Sequence, residues 1–232
     1  KTHQINWTLG MPTHINHLLH NATSEQEPST LKAIIVGGAR LENKSHRLFQ
    51  ETFNVPILKT YGLTETCSFA SCDEIDDENR TIGSSGTPIS TNEVAVFNEM
   101  NEQLSPGVEG EIRMKGDNIF QHYLNKPDLT VSRFVDGWFC SGDLGHFDEF
   151  GNIYVRDRLD NMMIVSGENV YPADVENYVP LLEGMKFGVL SSVPDELAGR
   201  RLVLVYERSR DDFEDAETWV KTLFSYVAPY KI

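Results

Sequence analysis

The rhythm of apolar and polar positions changes twice along the chain. Near the start, Met11-Pro12-Thr13 leads into Ile15-Asn16-His17-Leu18-Leu19, a helical spacing entered through a proline suited to a first turn. Leu31 to Val36 is then a short, nearly unbroken apolar run, as expected of a buried parallel strand. It ends in Gly37-Gly38-Ala39, small residues past which a flat ligand can approach the backbone. Leu41, His46, Leu48, Phe49 and Phe53 next predict a helix with a mixed apolar face. Val55-Pro56-Ile57-Leu58 predicts another strand, running into Tyr61-Gly62-Leu63-Thr64-Glu65-Thr66. Strand, helix and strand with glycine-bearing turns predict α/β architecture over residues 1–82, with ligand loops beyond the strand ends.

From about Gly83 the period shortens to two. Ile82 to Pro88 is a turn cluster, and Glu93 to Phe97 and Glu111 to Met114 alternate as strands, joined by the Ser105-Pro106-Gly107 turn region. Trp138-Phe139-Cys140 and Ile153-Tyr154-Val155 continue the pattern, the former predicted to end at Ser141-Gly142-Asp143. Residues 83–159 therefore read as a small antiparallel sheet or partial barrel. A charged link, Asp157-Arg158-Leu159-Asp160, precedes a glycine loop, Ser166-Gly167-Glu168-Asn169, and a helix start at Pro172. Val175, Val179 and Leu182 hold helical spacing that Pro180 should cut short. Phe187 to Val193 and Leu202 to Tyr206 predict strands, and Trp219, Leu223 and Val227 a last amphipathic helix. The fold class is thus α/β, α+β overall. Residues 1–159 form a large part, residues 160–232 a small α+β lobe, and site-like residues flank the link between them.

Composition narrows the function mainly by exclusion. A chain of 232 residues can bury one large core or two small ones, and 40% hydrophobic with 24% charged residues is ordinary for a globular protein. A net charge of −15 lacks the basic surplus that nucleic acid demands. It leaves room for a phosphorylated ligand held by backbone N–H groups, a metal ion and single basic residues. No apolar run approaches the roughly 20 residues of a membrane span, and nothing resembles a signal peptide, so the expected location is the cytoplasm. Cys67, Cys72 and Cys140 lack metal-ligand spacing and are expected to be reduced thiols. His14, His17 and His20 fall on one helix, where a solvated face competes with a metal site and no carboxylate completes a ligand set. The acidic run Asp211 to Asp215 reads as a solvated loop. The chain begins at Lys1 without methionine and stops just after Ala228-Pro229-Tyr230-Lys231, so both ends are expected to be cuts within something longer.

The candidate chemistry is carried by a few polar side chains on glycine-bearing loops. The Thr64 hydroxyl can bond a phosphate oxygen, and the Glu65 carboxylate suits Mg²⁺, a hard cation that prefers oxygen. Tyr61 offers a flat face for stacking, and Gly38 and Ala39 offer a close backbone edge. Asp143 could accept both hydroxyls of a ribose diol, and Arg158 could add a cationic donor. Taken singly, each is equally a turn former or a local hydrogen-bonding group.

Together and in order, Val36-Gly37-Gly38-Ala39, Tyr61-Gly62-Leu63-Thr64-Glu65, Ser141-Gly142-Asp143, Asp157-Arg158 and Gly167-Glu168-Asn169-Val170-Tyr171-Pro172-Ala173-Asp174-Val175-Glu176 resemble the adenylate-forming superfamily of acyl-CoA synthetases, adenylation domains and luciferases. The motif style looks more like the acyl- and aryl-CoA ligases. The resemblance implies that residues 1–159 are the C-terminal portion of the AMP-binding large domain and residues 160–232 a truncated mobile domain. It implies ATP-dependent activation of a carboxylic acid as an acyl-adenylate, then transfer to the thiol of CoA or of a carrier protein's phosphopantetheine. By the family pattern Gly38, Ala39 and Tyr61 would hold adenine, Thr64 the α-phosphate, Glu65 Mg²⁺, and Asp143 and Arg158 the ribose. Asp160 would be the hinge and Gly167 would lie on the loop facing the thiol. The family's phosphate loop and terminal lysine are not in this sequence. Lys231 belongs to the preceding Pro-Tyr-Lys segment, and the isolated chain is expected to be inactive. Ser141, Ser166 and Asn161 stand where the family more often has threonine, glycine and aspartate. Two other readings stay open: an adenylation domain loading a carrier protein, and a non-catalytic nucleotide-binding fragment.

Overall fold

In the computed structural model the described residues are 5–22, 30–165, 167–182, 184–195, 199–208, 216–223 and 225–227. Lys1, Ser166, the acidic run Asp211 to Asp215 and the Ala228 to Lys231 end lie outside them. The chain divides into two compact units, Lys1–Val155 and Arg156–Ile232, where the sequence reading places a boundary between residues 159 and 160.

The first unit opens with strand β1 (Trp7–Gly10), helix α1 (Pro12–His20), β2 (Ala33–Val36), α2 (Asn43–Phe53) and β3 (Ile57–Tyr61). β1, β2 and β3 pair in parallel, and β4 (Ser71–Cys72) and β5 (Thr87–Pro88) extend the sheet antiparallel from β3. Ile34, Val36 and Ile57 point to one face of the sheet, where they pack with Ile15 of α1 and Phe49 of α2. That burial fixes the strand ends, and with them the loops after β2 and β3. The helix after β2 holds as read, but its buried side differs. Leu48 is 46% exposed and Leu41 precedes the helix, whereas His46 and Phe49 face inward. α2 stops at Asn54, whose left-handed backbone (φ 52) suits an asparagine cap.

A second sheet follows, built of β6 (Asn92–Phe97), β7 (Gly110–Gly116), β8 (Phe134–Val135), β9 (Trp138–Phe147) and β10 (Ile153–Arg158), with the short helix α3 (Pro127–Ser132) before β8. Its strand order is β10-β9-β7-β6, with β8 on β9, and the pairs of β6, β7, β8 and β9 are antiparallel as the alternating pattern predicts. One expectation fails. β9 does not end at Ser141-Gly142-Asp143 but runs on to Phe147. Arg113 faces Cys140 and Glu111 faces Leu144, so the single residue Ile112 is opposed by three residues of β9. The resulting bulge keeps the strand going while reaiming the side chains within it. Ser141 Oγ donates to the Ile112 carbonyl at 2.5 Å and accepts from the Asp143 N–H at 2.9 Å, which satisfies backbone groups that the ladder misses there.

The second unit holds the hairpin β11 (Met163–Val165) and β12 (Glu168–Val170), α4 (Ala173–Glu176), the hairpin β13 (Met185–Asp195) and β14 (Gly199–Arg208), and α5 (Ala216–Leu223). Val175, Val179 and Leu182 are all buried, together with Val165, Val170, Leu190, Trp219 and Leu223. α4 ends well before Pro180, which sits in a 3-10 turn over Val179–Leu181. The glycine loop is a tighter object than the sequence suggests, because Glu168 already begins β12.

Candidate active site

The loop after β3 is tightly specified. It makes a 3-10 turn over Thr64–Thr66 and then two successive left-handed residues, Cys67 (φ 50) and Ser68 (φ 72). Such a backbone costs a non-glycine residue on the order of 1–2 kcal/mol each, so surrounding contacts must hold it. They are present. Thr66 is fully buried, and its hydroxyl accepts from the Leu63 N–H at 2.9 Å and donates to the Leu63 carbonyl at 3.0 Å. Asn118 Nδ2 donates to the carbonyls of Thr66 (2.9 Å) and Phe69 (2.6 Å), and Asn92 Nδ2 donates to Phe69 at 3.2 Å. At Gly62 any Cβ would collide with the Ser68 carbonyl, so only glycine lets the loop close on itself. Tyr61 and Leu63 pack against Ala70, Val96, Ile112, Met114 and Ile153, which seats the loop on the core of the second sheet.

On this frame the Tyr61 hydroxyl donates to Asp143 Oδ2 at 2.6 Å, joining residues 82 positions apart. Asp143 is only 4% exposed, a buried bulge residue rather than an acid at an open strand end. Thr64 is exposed and Glu65 half-buried on the same turn. The Glu65 carbonyl accepts from the Phe120 N–H at 2.8 Å, and its Oε1 accepts from the Tyr123 hydroxyl at 2.7 Å. Gly38 and Ala39 are exposed just beyond β2, and the two strand-end loops lie close, since a Cβ on Gly37 would sit 2.5 Å from Thr60 Cγ2. The first unit thus gathers Gly38, Ala39, Tyr61, Thr64, Glu65 and Asp143. Arg158, Asp160 and Gly167 belong to the second unit.

There the polar link is knotted to α4. Asp157 Oδ2 accepts from the Ala173 N–H at 3.1 Å at the start of that helix, and Oδ1 from Asn161 Nδ2 at 2.8 Å. Arg156 pairs with Asp174 and lies over the Tyr171 ring. Arg158 Nε reaches Asp160 Oδ1 at 3.1 Å, an exposed pair. Gly167 turns the β11–β12 hairpin with φ 85, and nothing lies within 4 Å of where a Cβ would be.

Beside the loop, Asp73 Oδ2 accepts the Lys59 N–H at 2.7 Å, tying β3 to the chain that follows β4. Both side chains are buried, at 5% and 8% exposure. Burial pushes the Asp73 carboxyl up to about 6 and the Lys59 amine down, so desolvation outweighs their mutual attraction on both partners. Sequence reasoning missed these two, and also Asn92, Asn118 and Tyr123. The last two lie between β7 and α3 in a stretch without periodicity, and its density of Phe120, His122 and Tyr123 is the one signal available.

Residues 1–124 match the AMP-binding enzyme family. The chain belongs to that family. Curated relatives of this AMP-binding chain include the long-chain-fatty-acid–CoA ligase of Bacillus subtilis (strain 168), 30% identical over 228 residues, covering 96% of this chain and 40% of that protein. A 2-succinylbenzoate–CoA ligase of Bacillus velezensis is 35% identical over 180 residues, 75% of this chain and 35% of its own. Among solved structures, ATP-bound MatB from Rhodopseudomonas palustris superposes with a TM-score of 0.90 at 28% identity, over 99% of this chain and 46% of that one. The o-succinylbenzoate CoA synthetase of Bacillus subtilis, in complex with its acyl-adenylate intermediate, gives 0.87 at 26% identity, over 99% and 46%. The AMP-binding chain therefore spans less than half the length of these relatives. Cys67, Cys72 and Cys140 are all free, and His14, His17 and His20 are exposed on α1, with His14 Nδ1 accepting the Met11 N–H. No helix among the described residues is long and apolar enough to cross a membrane.

Proposed function

We propose that the whole protein is an AMP-forming acid–thiol ligase. It activates a carboxylic acid with ATP and passes the acyl group to CoA. The observation that carries this reading is the 2.6 Å bond from Tyr61 to Asp143, which makes one unit of an aromatic face and a carboxylate, next to exposed Thr64 and half-buried Glu65. A ring face, an adjacent carboxylate and a phosphate-facing hydroxyl are what a nucleotide's base, ribose and α-phosphate require. In this reading Gly38, Ala39 and Tyr61 border the adenine, Thr64 donates to an α-phosphate oxygen, and Asp143 with Arg158 serves the ribose. Asp160 acts as the hinge, since hinges are a few residues at element ends, and Gly167 lies on the loop serving the thiol.

In the first half-reaction a carboxylate oxygen forms a bond to the α-phosphorus while the bond to pyrophosphate breaks. In the second, the thiol sulfur bonds to the acyl carbon, AMP leaves with the electron pair, and the thiol proton passes to solvent. Glu65 fits Mg²⁺. Its carboxylate is half-buried with Oε1 engaged by Tyr123, and Oε2 has no hydrogen-bond partner among the described residues. A cation held there would neutralise charge on the phosphate oxygens. The names of the curated relatives support CoA over a carrier's phosphopantetheine as acceptor. Three unpaired thiols suit the reducing cytoplasm.

The test is acid-dependent exchange of labelled pyrophosphate into ATP by the whole protein, followed by AMP release on adding CoA. Exchange with at least one aliphatic or aryl acid is expected. ATP binding with no exchange across the acid panel overturns the reading and favours a non-catalytic nucleotide module. Transfer to a phosphopantetheinylated carrier and not to CoA overturns the choice of acceptor.

A further inference from the structure

The segment between β7 and α3 touches Glu65 twice, through backbone and side chain. Its Phe120 N–H fixes the Glu65 carbonyl at 2.8 Å, and its Tyr123 hydroxyl reaches Oε1 at 2.7 Å. Tyr123 is itself held at two further points, through its ring and through its backbone. Its ring packs on Phe120 with centroids 4.6 Å apart, and Phe120 packs in turn on Phe134 (5.6 Å) and Phe139 (5.4 Å). Its backbone N–H donates to Thr130 Oγ1 at 2.9 Å, and that hydroxyl donates to the Lys126 carbonyl at 3.0 Å. A half-buried tyrosine this constrained costs little further entropy when it bonds a carboxylate, whereas an unheld glutamate has several rotamers to lose. The bond is charge-assisted and one-sided: it takes Oε1 and leaves Oε2.

We infer that Tyr123 is a positioning residue for Glu65, its hydroxyl fixing the carboxylate so that Oε2 is presented to a divalent cation bound with the nucleotide. This rests on the metal assignment of Glu65 proposed above. Groups that orient a metal ligand typically change metal affinity by 10–100-fold when removed, without being ligands themselves. The role differs from that of Asn118, which holds the loop's carbonyls and would affect nucleotide and metal alike.

The experiment compares ATP binding with and without Mn²⁺, by calorimetry and by the electron paramagnetic resonance of Mn²⁺, in the whole protein and in Tyr123→Phe, Glu65→Gln and the double variant. Tyr123→Phe keeps the ring and its packing. It is expected to weaken binding of the Mn²⁺–ATP complex about tenfold while leaving metal-free ATP binding unchanged. In the Glu65→Gln background the same substitution is expected to add almost nothing, because the carboxylate it acts on is gone. An equal loss in both backgrounds, or an equal loss with and without Mn²⁺, reveals a merely structural tyrosine and overturns the inference. Normal Mn²⁺ dependence in Tyr123→Phe beside a loss in Glu65→Gln overturns the inference alone. Normal Mn²⁺ dependence in Glu65→Gln overturns the metal assignment and the inference with it.

Discussion

Two glycine-bearing loops carry candidate site residues, and they are built in opposite ways. The loop from Tyr61 to Phe69 is held by buried Thr66, by two asparagine side chains and by the packing of Leu63 on the second sheet. At Gly62 it has no room for a methyl group. The β11–β12 turn at Gly167 has open space where a Cβ would go, and Glu168 and Asn169 beside it are exposed. The first loop is over-determined, which suits the nucleotide-facing role proposed for it. The second leaves the space around its glycine open.

The sharpest way to break the contrast is Gly62→Ala. The added methyl meets the backbone of Ser68 and Phe69 rather than the end of a flexible side chain. Overpacking of that kind costs about 3 kcal/mol or more, and urea unfolding should report it together with loss of nucleotide binding. A midpoint within experimental error of the parent would show the clamp to be softer than its contacts imply.

A second effect, of up to about 3 kcal/mol, comes from Asp73 beneath the same loop. Its folded pKa of about 6 lies above the ordinary 3.8, so the folded state holds the proton more tightly than the unfolded one. The stabilisation is therefore complete below about pH 4 and is lost as pH rises through about 6. Asp73→Asn keeps a carbonyl to accept the Lys59 N–H and should flatten the stability profile between those limits. Equal slopes in parent and variant would assign the pH dependence elsewhere.

The smallest effect is expected at Gly167→Ala. Only the left-handed backbone (φ 85) resists the substitution, at about 1 kcal/mol, and nothing is displaced. Thermal unfolding should move by a few degrees at most. A loss matching that of Gly62→Ala would mean the two loops are equally constrained, and the contrast would fall.

What could be read beforehand follows the same division between local and long-range causes. Leu31 to Val36 declared β2 because a strand buried on both faces is written as an apolar run, whereas Pro180 set only an outer limit, since α4 already ends at Glu176 and the proline sits in the 3-10 turn that follows. The family motifs singled out Gly38, Ala39, Tyr61, Thr64, Glu65, Asp143 and Arg158 together, and the first unit holds all of these but Arg158. β1 passed unnoticed because Trp7 and Leu9 are exposed on an edge strand and give no clear period. Ser141-Gly142-Asp143 has the composition of a turn, and only its pairing opposite Ile112 makes it a bulge inside a continuing strand. Tyr123, Asn118 and Asp73 act through contacts with residues far off in sequence or on another strand, and no local pattern records those.

That bulge also sets a parity rule for changes of chain length. Between Cys140 and Leu144 the strand spends four steps where β7, from Arg113 to Glu111, spends two, and both numbers are even. In-out alternation therefore survives the detour, so that Phe147 still packs toward Ile112 and Met114. Deleting or inserting one residue here would turn every later side chain of β9 to the opposite face, whereas removing two would only straighten the strand. Lengths in this stretch are free to drift in pairs and not singly.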